Sequence, residues 1–257
     1  MRHDDRVNSG SDGSTPVGTV RLRPLTARSA ILSMLLGAHP PSATVSEVVA
    51  FGRHVDINDS AVRAALTRMV AAGDLQRDKG VYTLSDRLVE RQHRQDEAMR
   101  VPTGDWNGTW RVAVVVSVGK DPASRLHLRR SMAAAHFGEL REGVWMRPDN
   151  LGWRPDPDIA DDLELMRARP DHHAGDLAHR LFAPHRWAAT GRELLAHAEH
   201  APTPHDRLTA VAAIVRHLTH DPLLPRELLP DDWPGGALRR TYDAFRQELE
   251  ERRRQAE

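Results

Sequence analysis

The spacing of apolar residues predicts three short helices in the first third of the chain. Apolar side chains recur there at intervals of three and four residues, which places them on one face of a helix. Each predicted helix begins at a residue that can accept hydrogen bonds from unpaired backbone N–H groups, and each ends at a glycine. The segments run from Thr26 to Gly37, from Thr44 or Ser46 to Gly52, and over residues 59–72, with Asn58, Asp59 or Ser60 as the cap and Gly73 as the stop.

The pattern changes to a strand period after the third helix. Residues 75–84 predict two short strands around the turn formed by Lys79 and Gly80. Three helices followed by a hairpin is the order of a winged helix-turn-helix, which we expect over residues 21–87. Residues 1–20 contain almost no large apolar side chains, so we expect a disordered tail there.

The third predicted helix has two chemically different faces. One face is apolar and packs inward, whereas the other is small, polar and positive. Short side chains let a helix approach a DNA groove, and arginine can bind guanine edges or phosphates. The predicted DNA-binding residues are Ser60, Arg63, Thr67 and Arg68 on this helix, with Arg77 and Lys79 of the hairpin at the DNA backbone or the neighbouring minor groove. A helical bundle with an arginine-rich surface, or a winged helix that contacts only protein, fits the same pattern.

Strand and helix signals alternate in the middle of the chain. A charged helical linker is expected over residues 88–103, followed by a central domain over residues 104–172. Its strongest signal is the apolar, β-branched strand at 110–118. A helix over 122–135, strands at 139–140 and 144–146 and a weak strand at 164–169 follow. This order predicts a ferredoxin-like α/β sandwich.

Helical patterns dominate residues 173–257, which we expect to form a C-terminal helical domain. The predicted helices lie near 175–182, 187–199, 206–219 and 235–254, and the large anchoring side chains are Trp187, Trp233, Tyr242 and Phe245. The predicted fold class is therefore α+β and multidomain: a winged helix-turn-helix, a ferredoxin-like sandwich and a helical domain.

Charge is balanced over the whole chain but not within it. The 36 Lys and Arg residues cancel the 36 Asp and Glu residues, which excludes a uniformly basic nucleic-acid-binding protein. The net charge is +3 over residues 21–100 and −4 over residues 151–257. This asymmetry is compatible with a DNA-binding N-terminal part, and arginine supplies 34 of the 36 basic residues.

The chain has no cysteine, which excludes disulfides, thiolate metal sites and a cysteine nucleophile. There is no apolar run of membrane-spanning length and no apolar core of a signal peptide at the N-terminus. We therefore expect a cytoplasmic protein that does not bind membranes. Nine of the 15 histidines lie between residues 172 and 220, and His197 and His200 share a helix face, but no acidic partner completes a metal motif. No metal and no cofactor are expected.

Sequence motifs of common enzymes are missing. There is no Gly-x-Ser-x-Gly elbow, phosphate-binding loop or dinucleotide-binding glycine cluster, so we do not expect an enzyme. The alternative is a metal-dependent nuclease built on the central domain, for which Asp121 is the acidic residue best placed after the main strand.

Three stretches together resemble the PaaX family of bacterial transcriptional repressors, across residues 24–250. The first is the winged-helix segment from Asp59 to Leu84. The second contains the element Trp106-Asn107-Gly108-Thr109-Trp110, with Phe137-Gly138-Glu139-Leu140 and Gly143-Val144-Trp145-Met146 downstream. The third runs from Asp221-Pro222-Leu223-Leu224-Pro225 to Trp233-Pro234-Gly235.

The resemblance implies a homodimeric repressor that binds palindromic operator DNA and is released by a small acidic effector. In the best-known relative, which controls phenylacetate catabolism, the effector is phenylacetyl-coenzyme A. Arg125, Arg129 and Arg130 on the helix after the central strand are candidate effector-binding residues, since arginine pairs with phosphate and carboxylate groups; a solvent-exposed helix face is the more ordinary explanation of the same residues. The segments 94–101 and 186–191 depart from the family pattern, which leaves the effector open.

The tryptophans of these motifs have a structural interpretation as well. Trp106 and Trp110 flank a glycine and are expected to fix the chain where it enters the sheet. The proline-rich segment before Trp233 is expected to be a rigid connection between helices, with Trp233 as a core anchor.

Overall fold

The computed structural model describes residues 20–100 and 104–255, and within them the chain contains helices and two small antiparallel sheets. The α+β class is therefore confirmed. The tail expected at residues 1–20 lies outside the described residues, apart from Val20.

The N-terminal unit begins with three helices, and their starts follow the predicted caps. Thr26, Thr44 and Asn58 accept hydrogen bonds from the backbone N–H groups of Ser29, Glu47 and Ala61, at 3.2, 3.2 and 2.8 Å. One strand, β1, was not predicted, because three residues are too few to show a period. The elements in chain order are α1 (Ala27–Gly37), β1 (Ser42–Thr44), α2 (Val45–His54), α3 (Asp59–Ala71), β2 (Leu75–Asp78) and β3 (Val81–Leu84).

The predicted hairpin is present and becomes part of a three-stranded sheet of order β1-β3-β2. Ser42 lies opposite Thr83, and Leu75 lies opposite Leu84. Lys79 and Gly80 join β2 to β3 with φ values of 45° and 86°. Two positive φ angles at the centre of a two-residue loop match a type I′ turn, whose twist suits a hairpin.

The helix α4 (Asp86–Met99) begins two residues before the predicted linker and packs against the N-terminal unit. Its buried face contains Leu88, Gln92 and Gln95. Gln92 Nε2 donates to the backbone oxygens of Leu36 and Ala38 at the end of α1, at 3.1 and 2.8 Å. The packing was not evident from the sequence, because the face that is buried is partly made of glutamine.

The central unit contains a four-stranded sheet of order β5-β6-β4-β7, in which every neighbouring pair is antiparallel. Strand β4 is central as predicted, but it ends at Val115, three residues early; Val118 is 96% exposed. The elements are β4 (Trp110–Val115), α5 (Pro122–Ala134), β5 (Gly138–Arg141), β6 (Val144–Pro148), α6 (Pro157–Ala160) and β7 (Leu163–Ala168).

Both faces of this sheet are covered. Ala113 and Trp145 pack with Leu128 and Met132 of α5 on one face. Helix α7 (Ala174–Phe182) and the 3₁₀-helix Arg226–Leu228 share a core with the other face, which carries Val112 and Met146. Helix α5, the sheet, and α7 with the 3₁₀-helix therefore form three layers.

The tryptophan pair at the entry to β4 has a structural role, as its spacing suggested. Trp110 is fully buried, and its ring meets that of Trp106 edge to face with the centroids 6.2 Å apart. Trp106 Nε1 donates to the backbone oxygen of Thr109 at 2.7 Å, which holds the turn around Gly108.

The remaining helices are α8 (Pro184–Glu199), α9 (Pro204–Leu218) and α10 (Gly235–Gln255), close to the predicted segments. The ring of Trp187 stacks with those of His217 and Trp233, with centroid separations of 4.0 and 4.2 Å. Trp233 is half-buried, and Tyr242 and Phe245 are buried as expected.

The N-terminal and C-terminal helices share one hydrophobic core. Phe51 and Val55, at the end of α2, pack with Leu208 of α9 and with Tyr242 and Phe245 of α10. These units therefore fold against each other, although they are far apart in sequence. Among the described residues, no helix combines the length and the apolar character needed to cross a membrane.

Candidate nucleic-acid interface

Helix α3 presents its four candidate DNA-binding residues to solvent. Its inner face is fixed in the core by Val62, Ala65, Leu66 and Met69. Because the helix repeats every 3.6 residues, burial of this face turns the other one outward. The exposed residues of the outer face include Ser60, Arg63, Thr67 and Arg68.

Two of these four side chains make local hydrogen bonds. Ser60 Oγ donates to Asn58 Oδ1 at 2.7 Å, and Thr67 Oγ1 donates to the backbone oxygen of Arg63 at 3.1 Å. Arg63 and Arg68 form no ion pair with any residue in 20–100 or 104–255. Their guanidinium groups are therefore available to acceptors from another molecule.

The acidic residue at the start of α3 is already paired. Arg53 Nε and Nη2 donate to the two oxygens of Asp59 at 2.9 and 2.5 Å. These hydrogen bonds from Arg53 hold the pKa of Asp59 below its ordinary value. The pairing offsets a negative charge that would otherwise oppose a polyanion at this end of the helix.

The hairpin places its two basic residues on the surface as well. Lys79 is exposed at the tip of the turn, and Arg77 is exposed on β2. The Arg77 guanidinium carbon lies 5.7 Å from the ring centroid of Tyr82, in cation–π range. The hairpin therefore adds a second positive surface beside Asp78.

Close contact between α2 and α3 depends on Gly52, which the sequence pattern marked as the end of the second helix. The helix continues to His54, and Gly52 lies inside it. A Cβ atom at Gly52 would lie 2.5 Å from Val62 Cγ2 and 3.3 Å from the backbone oxygen of Ile57. The glycine is therefore explained by the approach of α3 and not by helix termination.

Asp74, to which the sequence assigned no role of its own, fastens the hairpin to its neighbours. Its carboxylate is buried and accepts hydrogen bonds from Arg28 Nη2 of α1 at 2.7 Å and from Arg87 Nη2 of α4 at 2.8 Å. A buried carboxylate needs such partners, and here they join three elements of the unit. The sequence signal for it was its place directly after the helix-ending Gly73, within the segment that resembles the family.

The candidate effector residues Arg125, Arg129 and Arg130 all lie exposed on α5. Arg129 Nη2 is 2.6 Å from Glu139 Oε2, and its guanidinium carbon is 5.6 Å from the ring centroid of Trp145. They line neither the cavity between α1, α2, α4, α9 and α10 nor the one beside Arg111 and Asp149. Their role in effector binding stays a prediction.

A row of basic residues on the central sheet was not predicted. Arg111 lies directly opposite Arg147 on β6 and opposite Arg167 on β7. Arg167 Nε donates to Asp149 Oδ2 at 2.5 Å, and Arg147 Nη1 donates to the backbone oxygen of Ala135 at 2.6 Å. Burial lowers the pKa of Arg147 to about 10, so it stays protonated at neutral pH.

Asp121, the residue of the nuclease hypothesis, caps helix α5. Its Oδ1 accepts hydrogen bonds from the backbone N–H groups of Ala123 and Ser124 at 2.8 and 3.0 Å, and its Oδ2 accepts one from Ser124 Oγ at 2.6 Å. The hydrogen bonds from Ser124 hold the pKa of Asp121 below its ordinary value. No group of three or more potential metal ligands occurs in residues 20–100 and 104–255. His197 and His200 each contact a backbone oxygen, of Val20 and Ala196 respectively.

Comparison with known proteins gives two family matches on this chain. Residues 26–88 match a model described as PaaX-like protein, and residues 185–256 match a model described as PaaX-like protein C-terminal domain. No curated protein matches the chain. The solved structure of uncharacterized protein Rv0674 from Mycobacterium tuberculosis is 47% identical, with a TM-score of 0.77, over 90% of this chain and 98% of that one. The two matches cover both ends of the fold in the expected order, and the chain belongs to the PaaX-like protein family.

Proposed function

We propose that the protein is a sequence-specific DNA-binding transcriptional regulator, in which residues 21–87 form a winged helix-turn-helix. Helices α2 and α3 are the helix pair, and the hairpin of β2 and β3 is the wing. The observation that carries this proposal is the outer face of α3, where Arg63 and Arg68 are exposed and make no ion pair within the described residues.

In this proposal α3 enters the major groove. Arg63 and Arg68 contact guanine edges or phosphates, and Ser60 and Thr67 are short enough to let the helix approach. Arg77 and Lys79 contact the DNA backbone from the wing, which fixes orientation without reading sequence. Exposure of all six side chains supports this arrangement.

The rest of the chain would supply assembly and regulation. The strand order β5-β6-β4-β7, with antiparallel neighbours throughout, supports a ferredoxin-like domain over residues 104–172, followed by a helical domain over residues 173–257. We propose a homodimeric repressor that binds a palindromic operator and leaves it when a small acidic effector binds. An acyl-coenzyme A such as phenylacetyl-coenzyme A, on Arg125, Arg129 and Arg130, is the effector chemistry that the family resemblance suggests.

Selection from a pool of random duplexes tests the proposal and requires no known operator sequence. The full chain should enrich an inverted repeat, and fluorescence anisotropy at roughly 150–200 mM salt should then give an affinity at least about a thousandfold above that for a scrambled duplex. Equal affinity for both duplexes would instead support a winged helix that contacts only protein. Duplex cleavage with a divalent ion, lost in Asp121→Ala, would support the nuclease alternative.

A further inference from the structure

A cavity of about 470 Å³ lies between the proposed DNA-binding unit and the C-terminal helices. Residues of α1, α2, α4, α9 and α10 line it, so both ends of the chain contribute to its walls. Its volume is in the range of sites that hold small organic ligands. The family motifs described above do not account for this cavity.

The inner wall of the cavity is apolar. Leu32 of α1 and Phe51 of α2 face it from the N-terminal side, and Val211, Tyr242 and Phe245 face it from α9 and α10. All five are at most 8% exposed. We therefore expect this wall to contact the aromatic or alkyl part of a ligand.

The rim of the cavity is basic. Six arginines line it, namely Arg28, Arg91, Arg216, Arg246, Arg252 and Arg253, against two glutamates, Glu47 and Glu250. Four of the arginines are paired with carboxylates of the protein: Arg28 with Asp74, Arg246 with Glu250, Arg252 with Glu248 and Arg253 with Glu47.

The other two rim arginines differ from these four. Arg91 of α4 and Arg216 at the end of α9 are exposed and have no carboxylate partner in residues 20–100 and 104–255. Guanidinium groups beside an apolar wall favour a ligand that is apolar at one end and negatively charged at the other.

We propose that this cavity binds an amphipathic organic anion, with its apolar body against Leu32, Phe51 and Phe245 and its carboxylate or phosphate at Arg91 and Arg216. The site differs from the candidate arginines of α5, which lie on the central unit and do not line the cavity. Carboxylate and phosphate share the required charge, and the experiment below distinguishes them.

Occupancy of the cavity would reach the DNA-binding helix through α2; this step rests on the function proposed above. Arg253 of α10 pairs with Glu47 at the start of α2, and His205 of α9 lies 3.0 Å from the backbone oxygen of Val55 at its end. Helix α2 in turn positions α3 at Gly52. If a ligand changes how α9 and α10 pack on α2, its affinity differs between conformations in which α3 has different positions. This difference in affinity is what regulation of DNA binding requires.

Fluorescence titration of the full chain without DNA tests the site. The probes are anilinonaphthalene sulfonate, an amphipathic anion, and phenylnaphthylamine, the same apolar skeleton without the charge. We expect one saturable site for the anion. The double variant Arg91→Gln with Arg216→Gln loses two charge-assisted hydrogen bonds, so its affinity for the anionic probe should fall at least about tenfold. Its affinity for the neutral probe should change less than about twofold, because that probe makes no such hydrogen bonds.

Two further variants locate the probe. Ala212 and Ser33 are half-buried in the cavity wall, so Ala212→Phe or Ser33→Phe should fill the space and abolish binding of both probes. Arg240→Gln removes an exposed arginine of α10 that does not line the cavity, and it should bind as the unaltered chain does. Circular dichroism of each variant checks that it folds, and either filling variant suffices if the other fails.

Competition identifies the charged group and separates this proposal from the proposed function. Decanoate and decyl phosphate should displace the anionic probe at lower concentrations than decanol does; displacement by only one anion defines the group that is preferred. Displacement by decanol alone, or binding unchanged in the double arginine variant and in a folded filling variant, would overturn the site. The titrations contain no DNA and therefore measure binding to the cavity alone. If the chain binds the probe but no operator, the proposed cavity site stands and the proposed function as a regulator is wrong.

Discussion

Arg253, near the end of α10, pairs with Glu47 at the start of α2. Glu47 also accepts a hydrogen bond from the backbone N–H of Thr44 at 2.6 Å and thereby completes a capping box. Burial alone would raise the pKa of Glu47, but the hydrogen bonds from Thr44 and the ion pair with Arg253 outweigh it and leave the pKa below its ordinary value. One carboxylate thus joins the last helix of the chain to the helix that precedes α3.

A double-mutant cycle on this pair should show energetic coupling between the two ends of the chain. Arg253→Gln and Glu47→Gln should each lower the free energy of unfolding, and together they should cost less than their sum by about 0.5–1 kcal/mol, since the pair is only partly exposed. Urea denaturation measures all four proteins. The matched control is Arg246 with Glu250, a pair within α10, whose coupling should be about 0.3–0.5 kcal/mol. Additive losses for Arg253 and Glu47 would contradict a stabilising link.

Gly52→Ala should destabilise the chain because the added Cβ meets Val62 Cγ2 at 2.5 Å. A clash in a packed interface typically costs about 1–3 kcal/mol, more than the helix propensity gained from alanine. Thermal and urea unfolding measure the loss.

The matched control for this substitution is Gly152→Ala, since a Cβ at Gly152 has no heavy atom within 4 Å. Its free energy of unfolding should stay within about 0.5 kcal/mol of the unaltered chain. Equal effects at the two positions would show that Gly52 is not required by the approach of α3.

Local signals predicted the helices well because helix ends are determined by neighbouring residues. Thr26 and Asn58 cap α1 and α3 as expected, and Lys79 with Gly80 forms the expected turn. The outer face of α3 also followed from the sequence, because burial of Val62 and Leu66 leaves the opposite positions exposed.

Relationships between distant segments could not be predicted in the same way. The core shared by Phe51 and Phe245, and the cavity beside it, depend on how the two ends of the chain meet, which no local period encodes. Gln92 and Gln95 are buried on α4 although glutamine usually signals a solvent-exposed face. The packing of α4 against the N-terminal unit was therefore not evident from the sequence.

Removing a basic side chain from α3 and removing one from the hairpin should have different effects on DNA binding. If α3 reads bases, Arg63→Ala should reduce discrimination between operator and mutated operator by about 1–3 kcal/mol at one base position. Lys79→Ala should weaken binding to all sequences similarly and lower the slope of log affinity against log salt by about one. Anisotropy titrations at several salt concentrations measure both quantities.

Arg240→Ala is the control for these two variants, because Arg240 is an exposed arginine on α10, outside the proposed interface. It should change neither discrimination nor the salt slope. A uniform loss of affinity in Arg63→Ala, with base preference retained, would place Arg63 at a phosphate instead of a base.

His217 should make the stability of the C-terminal helices depend on pH. Its ring stacks on Trp187, and its Nε2 lies 3.0 Å from the Trp187 backbone oxygen and therefore donates to it. Burial lowers the pKa of His217 more than this hydrogen bond raises it. The unfolded chain, with a histidine pKa of about 6.5, thus takes up the proton before the folded chain does.

The stabilisation is consequently complete above about pH 6.5 and decreases as the pH falls from there through the lowered pKa of the folded state. His217→Gln keeps a donor for the Trp187 oxygen but removes the titrating group. The free energy of unfolding, measured in urea between about pH 5 and 8, should therefore fall less steeply on acidification than in the unaltered chain. Some slope should persist, because burial also lowers the pKa of His136. His93→Gln, at an exposed position of α4, controls for the loss of one imidazole, and an unchanged slope in His217→Gln would assign the acid sensitivity to other groups.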